Sequence, residues 1–79
     1  MARVLLFGRL ADRAGWRDRL IEAGDLSALR AALAAEDADL AEALAGPGVQ
    51  VAVDKVLVRG ETALAAGAEV AFLPPMSGG

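Results

Sequence analysis

Glu69-Val70-Ala71-Phe72-Leu73-Pro74-Pro75-Met76-Ser77-Gly78-Gly79 closes the sequence, and its reading decides the rest. Entered from Gly67, Glu69 to Leu73 has the composition of a strand. Its period of two sets Val70 and Phe72 on one face and Ala71 and Leu73 on the other. Pro74 and Pro75 then fix φ and push the residues before them into extended geometry. The chain therefore leaves the domain as an arm and does not turn back as a helix. From Pro74 to Gly79 this arm can reach roughly 20 Å at ~3.3–3.6 Å per residue. It thins from Met76 and Ser77 to two glycines, which let a backbone pass close to other atoms. A frayed terminus is the plainer alternative. The division expected is a domain over residues 1–73 and an extended tail over 74–79.

A strand this apolar needs neighbours, and the chain supplies four. Arg3 to Arg9 is the first, with Val4 and Leu6 on one face and Leu5 and Phe7 on the other. Leu10 to Gly15 reads as a helical turn ended by Gly15. Trp16 to Glu22 is a more polar strand in which Trp16, Leu20 and Ile21 find cover. Ser27 is a candidate N-cap, and Leu29, Ala32 and Leu33 recur at helical spacing to about Glu36. Asp37 and Asp39 end this helix and begin a short second one carrying Leu40 and Leu44; a single helix to Ala45 is the alternative. Gly46-Pro47-Gly48 stops helix in either case. Val49 to Val53 and Val56 to Val58 are strands joined at Asp54-Lys55, a two-residue turn. Leu64 anchors the loop from Glu61 to Gly67. The order is ββαββ with a short strand last. This is an α+β pattern in which a mixed sheet, its first and last strands adjacent and parallel, is covered on one face by a helix.

That cover has a corollary. If Val4, Leu6, Val56, Val58, Val70 and Phe72 face the helix, parity leaves Leu5, Phe7, Leu57, Ala71 and Leu73 on the other face. An apolar patch of this kind marks a partner surface, unless loops or the Trp16 region cover it.

Composition narrows the chemistry. The chain has 79 residues, no cysteine and no histidine, and a net charge of −3. Disulfides and thiolate metal sites are excluded. Hydrophobic residues make up 56% with mean hydropathy +0.43, inflated by alanine. The longest run without a charge, Ala43 to Val53, falls far short of the ~18 residues of a membrane helix. Arg9 interrupts Val4-Leu5-Leu6-Phe7, so secretion is not expected. Scattered basic residues and few aromatics argue against nucleic acid. The hydroxyls are Ser27, Thr62 and Ser77, and no histidine exists to activate them. Asp37, Asp39 and Glu42 are better explained as a solvated helix start than as metal ligands. Lys55, the sole lysine, reads as a turn residue. Phosphate-binding glycine patterns are absent. An enzyme acting alone is not expected. The remaining reactive group is the α-carboxylate of Gly79, which is inert until activated, for instance as a mixed anhydride with AMP formed by a partner.

The chain resembles ubiquitin-like β-grasp sulfur carriers, and among them most the small-subunit family of molybdopterin synthase. The resemblance covers essentially the whole length. It rests on Val4-Leu5-Leu6-Phe7-Gly8, Leu10-Ala11-Asp12-Arg13-Ala14-Gly15, Leu29-Arg30, Gly67 through Pro75, and Ser77-Gly78-Gly79; the double proline with terminal Gly-Gly is its specific part. It implies a ubiquitin-like β-grasp fold and a non-catalytic, sulfur-donating subunit in the cytoplasm. An E1-like enzyme would adenylate Gly79 with ATP, so this chain binds no cofactor itself. A sulfur donor such as a cysteine desulfurase or rhodanese would convert the carboxylate to a thiocarboxylate. The tail would enter the large synthase subunit, in a heterotetramer, and pass sulfur to cyclic pyranopterin monophosphate in molybdenum cofactor biosynthesis. Gly79 would carry the sulfur and Gly78 would let the tail thread. Phe7, Leu57, Leu73, Pro74, Pro75, Met76 and Ser77 would meet partners. The alanine-rich stretch from Ala63 to Ala68 departs from relatives with more polar turns. The alternatives are a carrier for thiamine, cysteine or tRNA thiolation, whose members also end in Gly-Gly, a ubiquitin-like modifier of lysines, and a pure interaction module. The thiamine carrier is usually shorter and lacks the double proline.

Overall fold

The computed structural model describes residues 1–75. Five strands are present: β1 (Ala2–Leu6), β2 (Asp18–Ile21), β3 (Gln50–Val53), β4 (Val56–Val58) and β5 (Glu69–Leu73). They form one mixed sheet in the order β2-β1-β5-β3-β4. The last strand is thus central. β5 runs parallel to β1, with Val4 opposite Val70, and antiparallel to β3. β5 is as long as β1, and the short strand is β4, at an edge.

Three helices accompany the sheet: α1 (Arg9–Ala14), α2 (Leu26–Glu36) and α3 (Ala38–Leu44). α1 ends at Gly15, whose φ of 84° is the left-handed cap that glycine provides without strain. α2 starts two residues earlier than a cap at Ser27 would set it, because its N-cap is Asp25. The Asp25 carboxylate accepts a 2.7 Å hydrogen bond from the Ala28 N–H. Ser27 lies inside the first turn, where its N–H donates to Glu61 Oε1 at 3.1 Å. Asp37 ends α2 and caps α3, its side chain accepting from the Leu40 N–H at 3.0 Å, so the two-helix reading holds over the single helix.

Glu61 also accepts from the Thr62 N–H at 2.9 Å. Hydrogen bonding from the Ser27 side chain, then from Thr62, holds its carboxyl below the ordinary glutamate value. Because the folded value is depressed, this contribution to stability is full above the unfolded value and is lost as pH falls through the folded one. Glu61→Gln is therefore expected to lower Tm modestly near neutrality, where the contribution is full, and to converge with wild type at low pH, which flattens the acid limb of a plot of Tm against pH. An acid limb identical to wild type in thermal melts would remove Glu61 from this role.

The helix-facing side of the sheet carries a short row, Ile21 beside Ala2, and two longer ones. Arg19, Val4, Val70, Val53 and Val56 lie side by side in register, as do Leu6, Phe72, Val51 and Val58. Val4, Val70 and Phe72 are fully buried and pack in one cluster with Leu29, Leu33, Leu40 and Leu44 from the helices. Burial fades along each longer row toward β4: Val53 and Val58 are half-buried and Val56 is 65% exposed. Parity thus placed Val56 and Val58 on the expected face, but the helices do not extend over that edge. At the opposite edge Arg19 pairs with Glu36 of α2 at 3.0 Å and lies 5.0 Å from the Trp16 ring centroid. Trp16 is half-buried against the core and Ile21 is buried, as expected, whereas Leu20 is 63% exposed. Leu20 pairs with Arg3 and so belongs to the other face of the sheet. No helix among the described residues is long and apolar enough to cross a membrane.

Candidate functional site

The face of the sheet away from the helices is divided along its length. Leu20, Arg3 and Glu69 lie together at the end where β5 begins. There Arg3 grips Asp18 through Nε, at 3.1 Å to each carboxylate oxygen, and through a second guanidinium nitrogen. This hydrogen bonding holds the Asp18 carboxyl below its usual value. The next row, Asp18-Leu5-Ala71-Ala52-Leu57, turns apolar toward β4. The last row, where β5 ends, contains Leu73 beside Gln50. Phe7 flanks it, its N–H donating to the Phe72 carbonyl at 3.3 Å.

Phe7 is 43% exposed, Leu57 is 57% exposed, and Leu73, Leu5 and Ala71 are half-buried. Ala52 is shielded by its neighbours. Trp16 is engaged with the core, so it does not cover this surface. The tertiary structure therefore gathers Phe7, Leu57 and Leu73, from three strand neighbourhoods, onto one open face at the end where the chain leaves the sheet. Leu57→Asp is expected to weaken partner association about tenfold or more, as loss of a central apolar contact does. Tm should change little, because the residue is already in water. A large fall in Tm would show that Leu57 is needed for packing.

The base of the tail is held from both sides. Gly8 follows β1 and Gly48 precedes β3, and these two strands flank β5. A Cβ at Gly8 would lie 3.2 Å from Pro74 Cγ, and one at Gly48 only 2.7 Å from Pro75 Cβ. Both glycines have positive φ, 55° and 81°. Gly48 owes its φ to a turn. The Val49 N–H donates to the Gly46 carbonyl at 3.3 Å, with Pro47 and Gly48 in the middle. Proline at the second position and glycine with φ near +80° at the third define a type II turn. Pro74 and Pro75 are half-buried in this seat. Beside it lies a groove of about 380 Å³ lined in part by Arg9, Arg13 and Pro75.

Reading Gly46-Pro47-Gly48 as a helix stop missed the seat. The Pro-Gly pair signals the turn type, but nothing in the sequence shows that Pro75 packs on it. Met76, Ser77, Gly78 and Gly79 lie outside the described residues. Lys55 occupies the hairpin turn with Asp54, at φ of 71° and 49°, as the two-residue connection requires.

A mixed sheet whose central strand runs directly into a proline-stiffened tail, with helices on one face, defines a ubiquitin-like β-grasp protein. The chain belongs to the ThiS family, whose profile matches residues 4–79, and is thus a ubiquitin-like sulfur-carrier domain. SAMP1 from Haloferax volcanii, known from a crystal structure, superposes with a TM-score of 0.77 at 27% identity, the alignment covering 99% of this chain and 98% of that one. No curated protein matches the chain closely enough to count as a relative.

Proposed function

We propose that this chain is the sulfur-carrying small subunit of a molybdopterin synthase, and that the Gly79 carboxylate is its working group. The observation that carries the carrier part is the family match, which runs through the final Gly78-Gly79. The double proline at the tail base favours the molybdopterin branch over the thiamine branch. In this reading a carboxylate oxygen of Gly79 attacks the α-phosphorus of ATP in an E1-like enzyme, and pyrophosphate leaves. The outer sulfur of a persulfide carried by a cysteine desulfurase or rhodanese attacks the acyl carbon and displaces AMP, giving an acyl disulfide. A second thiol then attacks the donor's sulfur, forms a disulfide with it and releases the thiocarboxylate. The tail then enters the large subunit and yields its sulfur to cyclic pyranopterin monophosphate. The chain's own contributions are positional: Phe7, Leu57 and Leu73 meet the partner, Pro74 and Pro75 hold the exit, and Gly78 fits a narrow channel.

The test is mass spectrometry after incubation with the activating enzyme, ATP and a sulfur donor. The C-terminal peptide should gain the difference between sulfur and oxygen. The loaded chain, mixed with the large subunit, should then convert cyclic pyranopterin monophosphate to the dithiolene. Loading without dithiolene would leave a carrier for another pathway, such as thiamine, cysteine or tRNA thiolation. A ubiquitin-like modifier shares the fold and the tail, and the full-length likeness to SAMP1 is as compatible with it as with a carrier. Isopeptide adducts on lysines would identify that reading, and absence of any loading would end both.

A further inference from the structure

We infer that Gly8 and Gly48 are positioning residues for the transfer reactions, because they form the seat that sets where the chain leaves the domain. The inference rests on the carrier reading. Five of the described glycines have positive φ: Gly8, Gly15, Gly48, Gly60 and Gly67. At Gly15, Gly60 and Gly67 a Cβ would meet nothing within 4 Å, so backbone conformation accounts for them. At Gly8 and Gly48 the space of the missing Cβ is taken by the tail prolines. These two glycines lie just outside the ends of the two strands that flank β5, so Pro74 and Pro75 are bracketed on both sides.

Proline rings are rigid, and rigid groups in contact transmit a displacement. An added methyl at position 48 must change how Pro75 packs on the turn, because real Cβ atoms essentially never approach to 2.7 Å. Every residue beyond Pro75 is then presented from a shifted base.

The carrier is itself the substrate of the activating enzyme, which separates two effects. Loss of folded carrier lowers its effective concentration and raises apparent KM. Misaiming of a folded, docked carrier lowers kcat. Gly48→Ala is expected to lower kcat for loading by about tenfold or more, since a 1 Å misplacement can cost about 100-fold, while KM stays near wild type. Gly60→Ala is the control: its φ of 74° imposes similar strain with no contact. It should leave kcat unchanged. Gly48→Ala combined with Pro75→Gly should be no slower than Pro75→Gly alone, because the clash is gone. If Gly48→Ala does not fold, Gly8→Ala takes its place, with a smaller loss expected at 3.2 Å from Pro74. Equal kcat for Gly48→Ala and Gly60→Ala, or multiplied losses in the double variant, would overturn the inference. Wild-type chain that takes up no sulfur would sink the carrier reading instead. The seat is then judged by the Pro75 proton resonances, which Gly48→Ala must move and Gly60→Ala must not.

Discussion

Deletion of Gly79 is expected to leave a folded chain that no longer takes up sulfur. Among the described residues the buried ones run from Ala2 to Phe72, and the prolines of the seat end at Pro75, so the deletion removes none of these. It moves the terminal carboxylate back by ~3.5 Å, the span of one extended residue. Activation depends on placing that carboxylate against a phosphorus, and a misplacement of about 1 Å can already cost ~100-fold. A loss of about 100-fold or more in thiocarboxylate formation is therefore expected, with an unchanged thermal melt. A truncated chain that gains the same mass and supports product formation would reduce the tail to a terminus. Gly78→Val should also impair loading, for a different reason: a branched side chain enters where a channel must close around backbone.

Val70→Asp should have the opposite profile and abolish folding. Val70 lies on the central strand, fully buried, in register with Val4 on one side and Val53 on the other. Among the buried residues described, none is polar or charged, so a carboxylate there finds no partner. Burying it unpaired costs at least about 3 kcal/mol. A small domain has about 5–15 kcal/mol in total and, at this size, tends toward the lower end. Circular dichroism should show a chain largely unfolded at 37 °C. A cooperative melt within a few degrees of wild type would contradict the burial on which the architecture depends. Val58→Asp, on the half-buried edge, should cost less, because its carboxylate can reach water.

Much of the fold was legible because local rules and global needs agreed. The alternation of Val70 and Phe72 with Ala71 and Leu73 identified the strand and its two faces. The apolar character of both terminal strands required central places for them, and the sheet order satisfies this. Asp37 between Glu36 and Asp39 signalled two helices rather than one, and it caps the second. The proposal for the tail comes from elimination: without His or Cys, the terminal carboxylate is the group the sequence leaves as a candidate.

Other features were decided only in three dimensions. Asp25 and Ser27 are both good capping residues, and the choice fell to Asp25 because the loop with Thr62 and Leu64 draws the chain onto α2 two residues earlier. The Leu26 N–H donates to the Thr62 carbonyl, and the Leu64 N–H to that of Gly24. Val56 has the parity of a core residue and the exposure of a surface one, because parity sets the face of a strand while its place in the sheet sets whether anything covers that face. The seat for Pro74 and Pro75 was the least visible. Gly8 and Gly48 are 40 positions apart and carry no side chain to announce a contact. They become neighbours of the tail only because β1 and β3 flank β5. Periodicity, capping and turn chemistry act within a few residues, so the sequence alone determined most of the elements and their faces. The seat of Pro74 and Pro75 depends on strands brought together by burial, and only the tertiary structure decided it.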